Sequence, residues 1–358
     1  MRNTKKLFKT LLTAVFCLAA ILSLASCELF NGWFKKPDIP DIKVYMPDGA
    51  PLLSLAKLRS DDPEIVKGYD VEYSTVANPS ALAASLIAGE PDIAAAPINV
   101  CAAVYNMNKG YVLAGVGVWG IMHIVSNQSG TVTLDGLKGN TVLAFGKGET
   151  PGITLRAVLK QNDIKYTEED ASYTPEADEV NIVYANAVAD VRNILASSGS
   201  IDGTAVKFAL LAEPVATAIT GATTGKDWGP YRAVINLQTE WAKNNGGGSF
   251  PQAGIVFKAS LLKKHKKFID KFIALVKDSA EFAENNPFEA GEIAKNRLGS
   301  TAIPNGKIVQ TAVEAGRLPL NFVAANAAKI NIETYLNVIL AESPTLVHGK
   351  LPDGGFYY

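Results

Sequence analysis

The stretch IKVYMPDGAPLLSLAKL, residues 42–58, decides the fold. Ile42-Lys43-Val44-Tyr45-Met46 reads as a strand, Pro47-Asp48-Gly49-Ala50-Pro51 is turn chemistry, and Leu52 to Leu58 reads as an apolar helix. The unit returns at once. Tyr69 to Val76 is strand-like, Ala77-Asn78-Pro79-Ser80 turns, and Ala81 to Ala88 is helical with Gly89 at its C-terminal end. Ile93 to Ala95 opens a third unit, which closes in Ala96-Pro97-Ile98-Asn99 before a helix from Val100 to Asn106. The apolar run Tyr111 to Val118 follows. Strands alternating with helices of this length imply parallel βαβ units, and so an α/β fold.

A second block repeats the rhythm. Thr133 to Gly139 is a short turn leading into the strand Thr141 to Phe145; Gly146 to Thr150 loops, Pro151 suits a first helical position, and Ile153 to Lys160 is helical. Val180 to Tyr184 is a strand, Asn186 an N-cap, and Ala187 to Leu195 a helix. Lys207 to Leu211 is a strand, with Ala212-Glu213-Pro214 and the helix Val215 to Ile219 behind it. Two successive sets of similar size predict two similar lobes. The last third adds a strand, Gln252 to Phe257, and one long amphipathic helix, Ser260 to Glu284, and is otherwise mostly helical. Lysines 263, 264, 266, 267 and 271 read as the solvated face of that helix.

The N-terminus says where the chain goes. Arg2, Lys5, Lys6 and Lys9 precede an uncharged run, Leu11 to Ser26, too short and wrongly flanked for an ordinary membrane span. It ends in Leu24-Ala25-Ser26-Cys27, which resembles the bacterial lipobox. That resemblance implies that residues 1–26 are a lipoprotein signal peptide and that acyl chains on Cys27 anchor the mature chain to a membrane, outside the cytoplasm. Residues 27–41, with Asn31-Gly32 and prolines at 37 and 40, read as a tether. Cys17 lies in the removed segment and Cys27 carries lipid, so Cys101 stands alone, a buried thiol in an apolar stretch with no disulfide or cysteine metal site available. A net charge of −1 lacks the basic excess of a nucleic-acid binder, and that class is excluded.

Three segments carry a wider resemblance: Asn78-Pro79-Ser80 through Leu86-Ile87-Ala88-Gly89-Glu90-Pro91-Asp92-Ile93-Ala94, then Leu134-Asp135-Gly136-Leu137-Lys138-Gly139, then Leu210-Leu211-Ala212-Glu213-Pro214. With Phe250-Pro251 before a strand, they make residues 42–290 similar to the periplasmic substrate-binding proteins related to the yeast thiamine-pyrimidine synthesis protein. The family's members bind sulfonates, taurine, nitrate, pyrimidine precursors or riboflavin. The resemblance implies a type 2 periplasmic-binding fold, two α/β lobes joined by two crossing strands. Lobe I is expected over 42–120 plus 246–358, and lobe II over 121–245. It also implies a role: capturing a small molecule and delivering it to an ABC permease and its ATPase.

Chain chemistry reaches the same site independently. In open α/β sheets ligands sit beyond the carboxyl ends of the strands, against the unpaired amides of helix N-termini. The expected ligand-binding residues are therefore Asp48, Gly49, Ala50, Asn78, Pro79, Ser80, Pro97, Asn99, Thr150, Tyr184, Asn186 and Glu213. Asn78, Ser80, Asn186 and Thr150 serve equally well as plain helix caps. Trp119, at the expected first crossing, reads equally as a ring that stacks on a flat ligand and as core. Asp48, Glu149 and Glu213 make the expected cleft acidic, while Lys147, Arg156 and Arg192 are its few cations, so the ligand leans toward a neutral or cationic heteroaromatic over a sulfonate or nitrate.

Other signals fail their structural tests. Gly115-Val116-Gly117-Val118-Trp119-Gly120 has dinucleotide-like glycines but runs into a strand pattern, Ile121 to Val125. Gly221 to Lys226 is one residue short of a phosphate-loop spacing and reads as a loop. His123, His265 and His348 are far apart, and nothing places a base beside a nucleophile. No catalytic residue, cofactor or metal is expected. The rival readings are an enzyme of the same fold acting on a pyrimidine- or chorismate-like substrate, and a lipoprotein that senses a ligand. The site assignment predicts that Asn78→Ala or Trp119→Ala weakens ligand affinity in a binding titration while shifting stability by no more than about 1–2 kcal/mol.

Overall fold

The computed structural model describes residues 41–76 and 79–358. Cys27, the residues before it, most of the tether, and Asn78 lie outside the described residues. Strands run β1 Ile42–Pro47, β2 Val71–Val76, β3 Ile93–Pro97, β4 Tyr111–Trp119, β5 Met122–Ser126, β6 Asn140–Phe145, β7 Lys165–Thr167, β8 Glu179–Ala185, β9 Ser200–Ile201, β10 Thr204–Ala205, β11 Phe208–Ala212, β12 Arg232–Asn236, β13 Pro251–Lys258 and β14 Val323–Ala324. They form two six-stranded sheets, β2-β1-β3-β13-β4-β14 and β7-β8-β6-β11-β5-β12, with β9 and β10 as a small hairpin.

The two sheets share one plan. In the first, β1 pairs in parallel with β2 and β3, and β13 is inserted antiparallel between β3 and β4. In the second, β6 pairs in parallel with β8 and β11, and β5 is inserted antiparallel between β11 and β12. Each inserted strand comes directly from the other sheet: β5 follows β4 through Gly120-Ile121, and β13 follows the helix Leu237–Asn244 through residues 245–250. Because β1 to β4 run the same way, their carboxyl ends share the edge at which β4 leaves for β5. Because β5 starts at that crossing and opposes β11 and β12, the carboxyl ends of the second sheet's parallel strands lie at the same crossing. The two sets of βα junctions therefore open toward one another, with the crossing strands between them.

The crossings are bound together. Gly120 N donates to the Phe250 carbonyl at 3.0 Å, and Phe250 N donates to Gln238 Oε1 at 3.2 Å. Trp241, Phe250 and Tyr335 form an aromatic cluster with centroids 5.4–5.8 Å apart, supplied by the second lobe's last helix, the crossing and the long helix Ala325–Glu342. All three side chains are buried, within one apolar core that takes residues from both sheets. Burial at this density accounts for most of the favourable folding free energy.

Several sequence expectations are redrawn. The helix expected over 52–58 is two short helices, Ala50–Ser54 and Ala56–Asp61, broken at Leu55. The long helix expected over 260–284 is Ala259–Lys264 and Lys266–Asn285, broken at His265. Its second part buries Phe268, Ile269, Phe272, Val276, Ala280 and Ala283 on one face, while Lys266 and Lys277 pair with Asp270 and Glu281 on the other. The loop expected from Gly221 begins later, because the helix Val215–Thr223 runs through Gly221. Edge strand β12 was not anticipated. At Gly120 a Cβ would lie 2.0 Å from Gln238 Oε1 and 2.5 Å from Phe250 Cζ. Gly120→Ala is accordingly expected to cost about 1–3 kcal/mol in urea denaturation, whereas Gly148→Ala, with nothing within 4 Å of its Cβ, should stay within about 0.5 kcal/mol of the parent.

Candidate functional site

The junction after β1 is built around Asp48. Its Oδ2 accepts from Thr301 N (2.8 Å), Thr301 Oγ1 (2.9 Å) and Ala302 N (3.0 Å), and its Oδ1 accepts from Gly49 N (2.8 Å) and Ser300 Oγ. The carboxylate thus fastens the loop 300–302. Burial acts to raise its pKa, but the hydrogen bonds from Ser300, Ala302 and Thr301 outweigh burial and hold it below the ordinary value. Gly49 sits at φ 103°, ψ −140°, a conformation that needs glycine, and both Gly49 and Ala50 are buried. After β2, Pro79 and Ser80 open the helix Pro79–Ala88, with Ser80 exposed.

The junction after β3 holds a buried amide. Pro97 precedes the helix Ile98–Asn108, whose first turn receives no side-chain cap. Asn99 is only 7% exposed, and its Oδ1 is buried without a hydrogen-bond partner. Gln252 Oε1 is in the same state. A buried acceptor left unmade costs about 1–3 kcal/mol, so both atoms stand out against a chain that pairs its polar groups closely.

Trp119, at the end of β4, is 5% exposed; its Nε1 donates to the Asn321 carbonyl at 3.0 Å, and its ring belongs to the core. Removing that ring opens a cavity, and the small stability change expected of Trp119→Ala is corrected to about 3–5 kcal/mol.

In the second lobe, the loop after β6 folds back on its own helix. Glu149 N and Gly152 N both donate to the Gly146 carbonyl, at 3.0 and 3.1 Å, and a Cβ at Gly152 would lie 2.4 Å from that oxygen. Thr150, 9% exposed, takes Thr154 Oγ1 on its carbonyl at 2.7 Å, and Thr154 Oγ1 in turn meets Tyr335 OH at 2.7 Å. Tyr184 OH donates to Glu168 Oε1 (3.0 Å) and accepts from Arg156 Nη1 (2.9 Å), while Lys147 pairs with Glu168 at 2.9 Å. Burial first, and then Glu168, act to push the Tyr184 phenol above its ordinary range, with Arg156 opposing them. Asn186 is exposed and does not cap its helix: that helix starts at Val188, with Ala187 at the cap position and Asp190 accepting from Ala187 N at 3.0 Å.

Glu213 does something the sequence did not show. Its side chain is fully buried, and Oε1 accepts from Arg317 Nε at 2.8 Å and from Thr217 Oγ1 at 2.9 Å, while Oε2 accepts from Thr217 N at 3.0 Å. Arg317 comes from the segment just before β14 in the first sheet, so this ion pair ties the two lobes. Burial raises the Glu213 pKa in spite of Arg317 and Thr217. His123 Nε2 donates to the Arg317 carbonyl at 3.2 Å, and burial pushes the ring's pKa down to about 4, leaving it neutral.

The expected acidity of the cleft is therefore absorbed at two of its three positions, Asp48 and Glu213, and Glu149 is exposed. Arg156 is matched by Glu168, and Arg192 is exposed on its helix. Sequence reasoning missed Arg317, Gln252 and Tyr335. None sits in a local motif, and each matters only through a partner more than 100 residues away or across a sheet register. For Asp48 the pH dependence has a definite sign. Its folded pKa lies below the unfolded value of 3.8, so the stability it contributes is complete above that value and is lost as the pH falls through the folded pKa. Asp48→Asn is expected to cost about 2 kcal/mol at pH 7 in chemical denaturation, with the gap to the parent closing below about pH 4.

No protein-family model matches the chain, and no curated protein sequence matches it. Solved structures do. An ABC transporter from Parabacteroides distasonis superposes with a TM-score of 0.67 at 24% identity, covering 89% of this chain and 98% of its own. The periplasmic aliphatic sulphonate binding protein SsuA from Escherichia coli gives 0.61 at 14% identity, covering 87% and 92%. The alkanesulfonate-binding protein SsuA from Xanthomonas axonopodis pv. citri, bound to MOPS, gives 0.58 at 16%, covering 89% and 97%. At these identities the likeness establishes the architecture: the chain has the type 2 periplasmic-binding-protein fold that the sequence led us to expect.

Proposed function

We propose that the chain is a solute-binding protein, held outside the cytoplasm by lipid on Cys27, that captures a small molecule between its two lobes and hands it to an ABC permease and its ATPase. One observation carries this reading: both sets of βα junctions, at the carboxyl ends of the two sheets' parallel strands, open toward the same pair of crossing strands. Ligands bind at such ends, and a pair of short crossings is the element about which two lobes close by a hinge. Similar architectures in an ABC transporter and in sulfonate-binding proteins support the reading.

Lobe I comprises 42–120 with 246–358, and lobe II comprises 121–245. The junction residues Asp48, Gly49, Ala50, Pro79, Ser80, Pro97, Asn99, Thr150, Tyr184, Asn186 and Glu213 surround the binding gap, some by touching ligand and some, such as Asp48 and Glu213, by holding the junctions in place; Asn78, outside the described residues, keeps its expected role from the sequence. The ligand leans toward a neutral or cationic heteroaromatic, with a sulfonate or nitrate as the alternative, because Arg156 and Lys147 are both matched by Glu168. Catalysis has no part in this reading: where carboxylates meet hydroxyls at the described junctions, Asp48 with Ser300 and Thr301 and Glu213 with Thr217, each carboxylate is also tied up by backbone amides, and Glu213 by Arg317.

The test is to identify the small molecule carried by the purified protein by mass spectrometry, strip it by denaturation and refolding, and add it back during small-angle scattering. The expected outcome is saturable binding with a reduced radius of gyration. Turnover of that molecule would revive the enzyme reading, and binding without any lobe movement would remove the transport cycle proposed here.

A further inference from the structure

Among the described residues, three side-chain oxygens are buried without a partner: Tyr73 OH, Asn99 Oδ1 and Gln252 Oε1. The last two belong to one place. Ala253 on β13 faces Pro97 on β3, so Gln252 stands beside the first turn of the helix Ile98–Asn108. A Cβ at Gly254 would lie 3.2 Å from Ile98 Cδ1, so that turn packs against β13 at this point. Against β4, the register slips between Pro251, opposite Trp119, and Ala253, opposite Val118. Gln252 is thus the extra residue of a β-bulge, a device that re-aims a side chain. All of this sits at the edge where the lobes join.

The uncapped first turn offers backbone N–H donors, and next to them stand two amide oxygens that lack donors. A group that presents both a donor and an acceptor would match amides and backbone N–H groups together. We infer that Asn99 and Gln252 form a specificity-determining pair for a neutral ligand group that carries a hydrogen-bond donor beside an acceptor, as a carboxamide or an aminopyrimidine does. The inference rests on the binding-protein reading and narrows its ligand class. On binding, the ligand's N–H groups would supply the hydrogen bonds that the two oxygens do not receive from the protein.

Two measurements test this on the full chain: the thermal unfolding midpoint of the ligand-free protein, and calorimetric titration with cytosine and nicotinamide, which carry donors, and with ethanesulfonate and nitrate, which carry none. Asn99→Leu and Gln252→Met should each raise the ligand-free midpoint by about 2 °C while weakening binding of the donor-bearing compounds at least tenfold. Gln252 is only partly buried, so its variant reports even if Asn99→Leu does not fold. A lowered midpoint in both variants would make the amides structural and overturn the inference. Unchanged binding by both variants would overturn it too, leaving the binding-protein reading intact. So would preferential binding of ethanesulfonate or nitrate. Failure of every compound to bind the parent protein would count against the underlying functional reading itself.

Discussion

The structure depends on the hydrogen bond from Gly120 N to the Phe250 carbonyl and on the close approach that makes it possible. Two chain segments cross side by side between the sheets, and no Cβ fits at Gly120 between Gln238 and Phe250. From that contact the rest follows. Each sheet receives a central strand from across the crossing, so neither lobe is complete without the other's chain path. The carboxyl ends of the parallel strands are brought to a common edge by the same geometry. The candidate site there is a result of strand direction before it is a result of any side chain.

The electrostatics of that edge differ from a count of its charged residues. Asp48, Glu149 and Glu213 in the sequence suggest a negative cleft. In the fold, Asp48 is spent on the loop 300–302 and Glu213 on Arg317 and Thr217. Buried charges persist where they are paired and hydrogen-bonded, and here the pairing is architectural. Among the described residues, the buried side-chain oxygens without a partner are neutral: Tyr73 OH and the amide oxygens of Asn99 and Gln252.

The βα repeats were legible because they are local. Strand alternation in Ile42 to Met46, turn residues at 47–51 and the helix of 81–88 all lie within a few residues of one another, and periodicity records such order. Helix ends were less legible. Asn186 has the chemistry of a cap, yet the helix begins two residues later because Asp190 satisfies Ala187 N instead. The candidate site was legible as far as its βα junctions, while the partners that decide each side chain's role come from far along the chain. Arg317 lies 104 positions after Glu213, and Tyr335 meets Thr154 across 181. No local pattern encodes such pairs. Trp119 illustrates the same point, since only Asn321 and the surrounding core show that its ring is enclosed.

The placement of β13 bears on how the chain is made. Strands β3 and β4 are synthesised early, but the strand that separates them arrives only with residues 251–258. Until then, the nascent first sheet has two open inner edges, each a template for mispairing. The intervening second lobe must be produced before those edges can be covered. Vectorial synthesis therefore imposes an order: the inserted half is available to fold while the outer half waits, and whatever shields β3 and β4 during that interval guards the protein against aggregation.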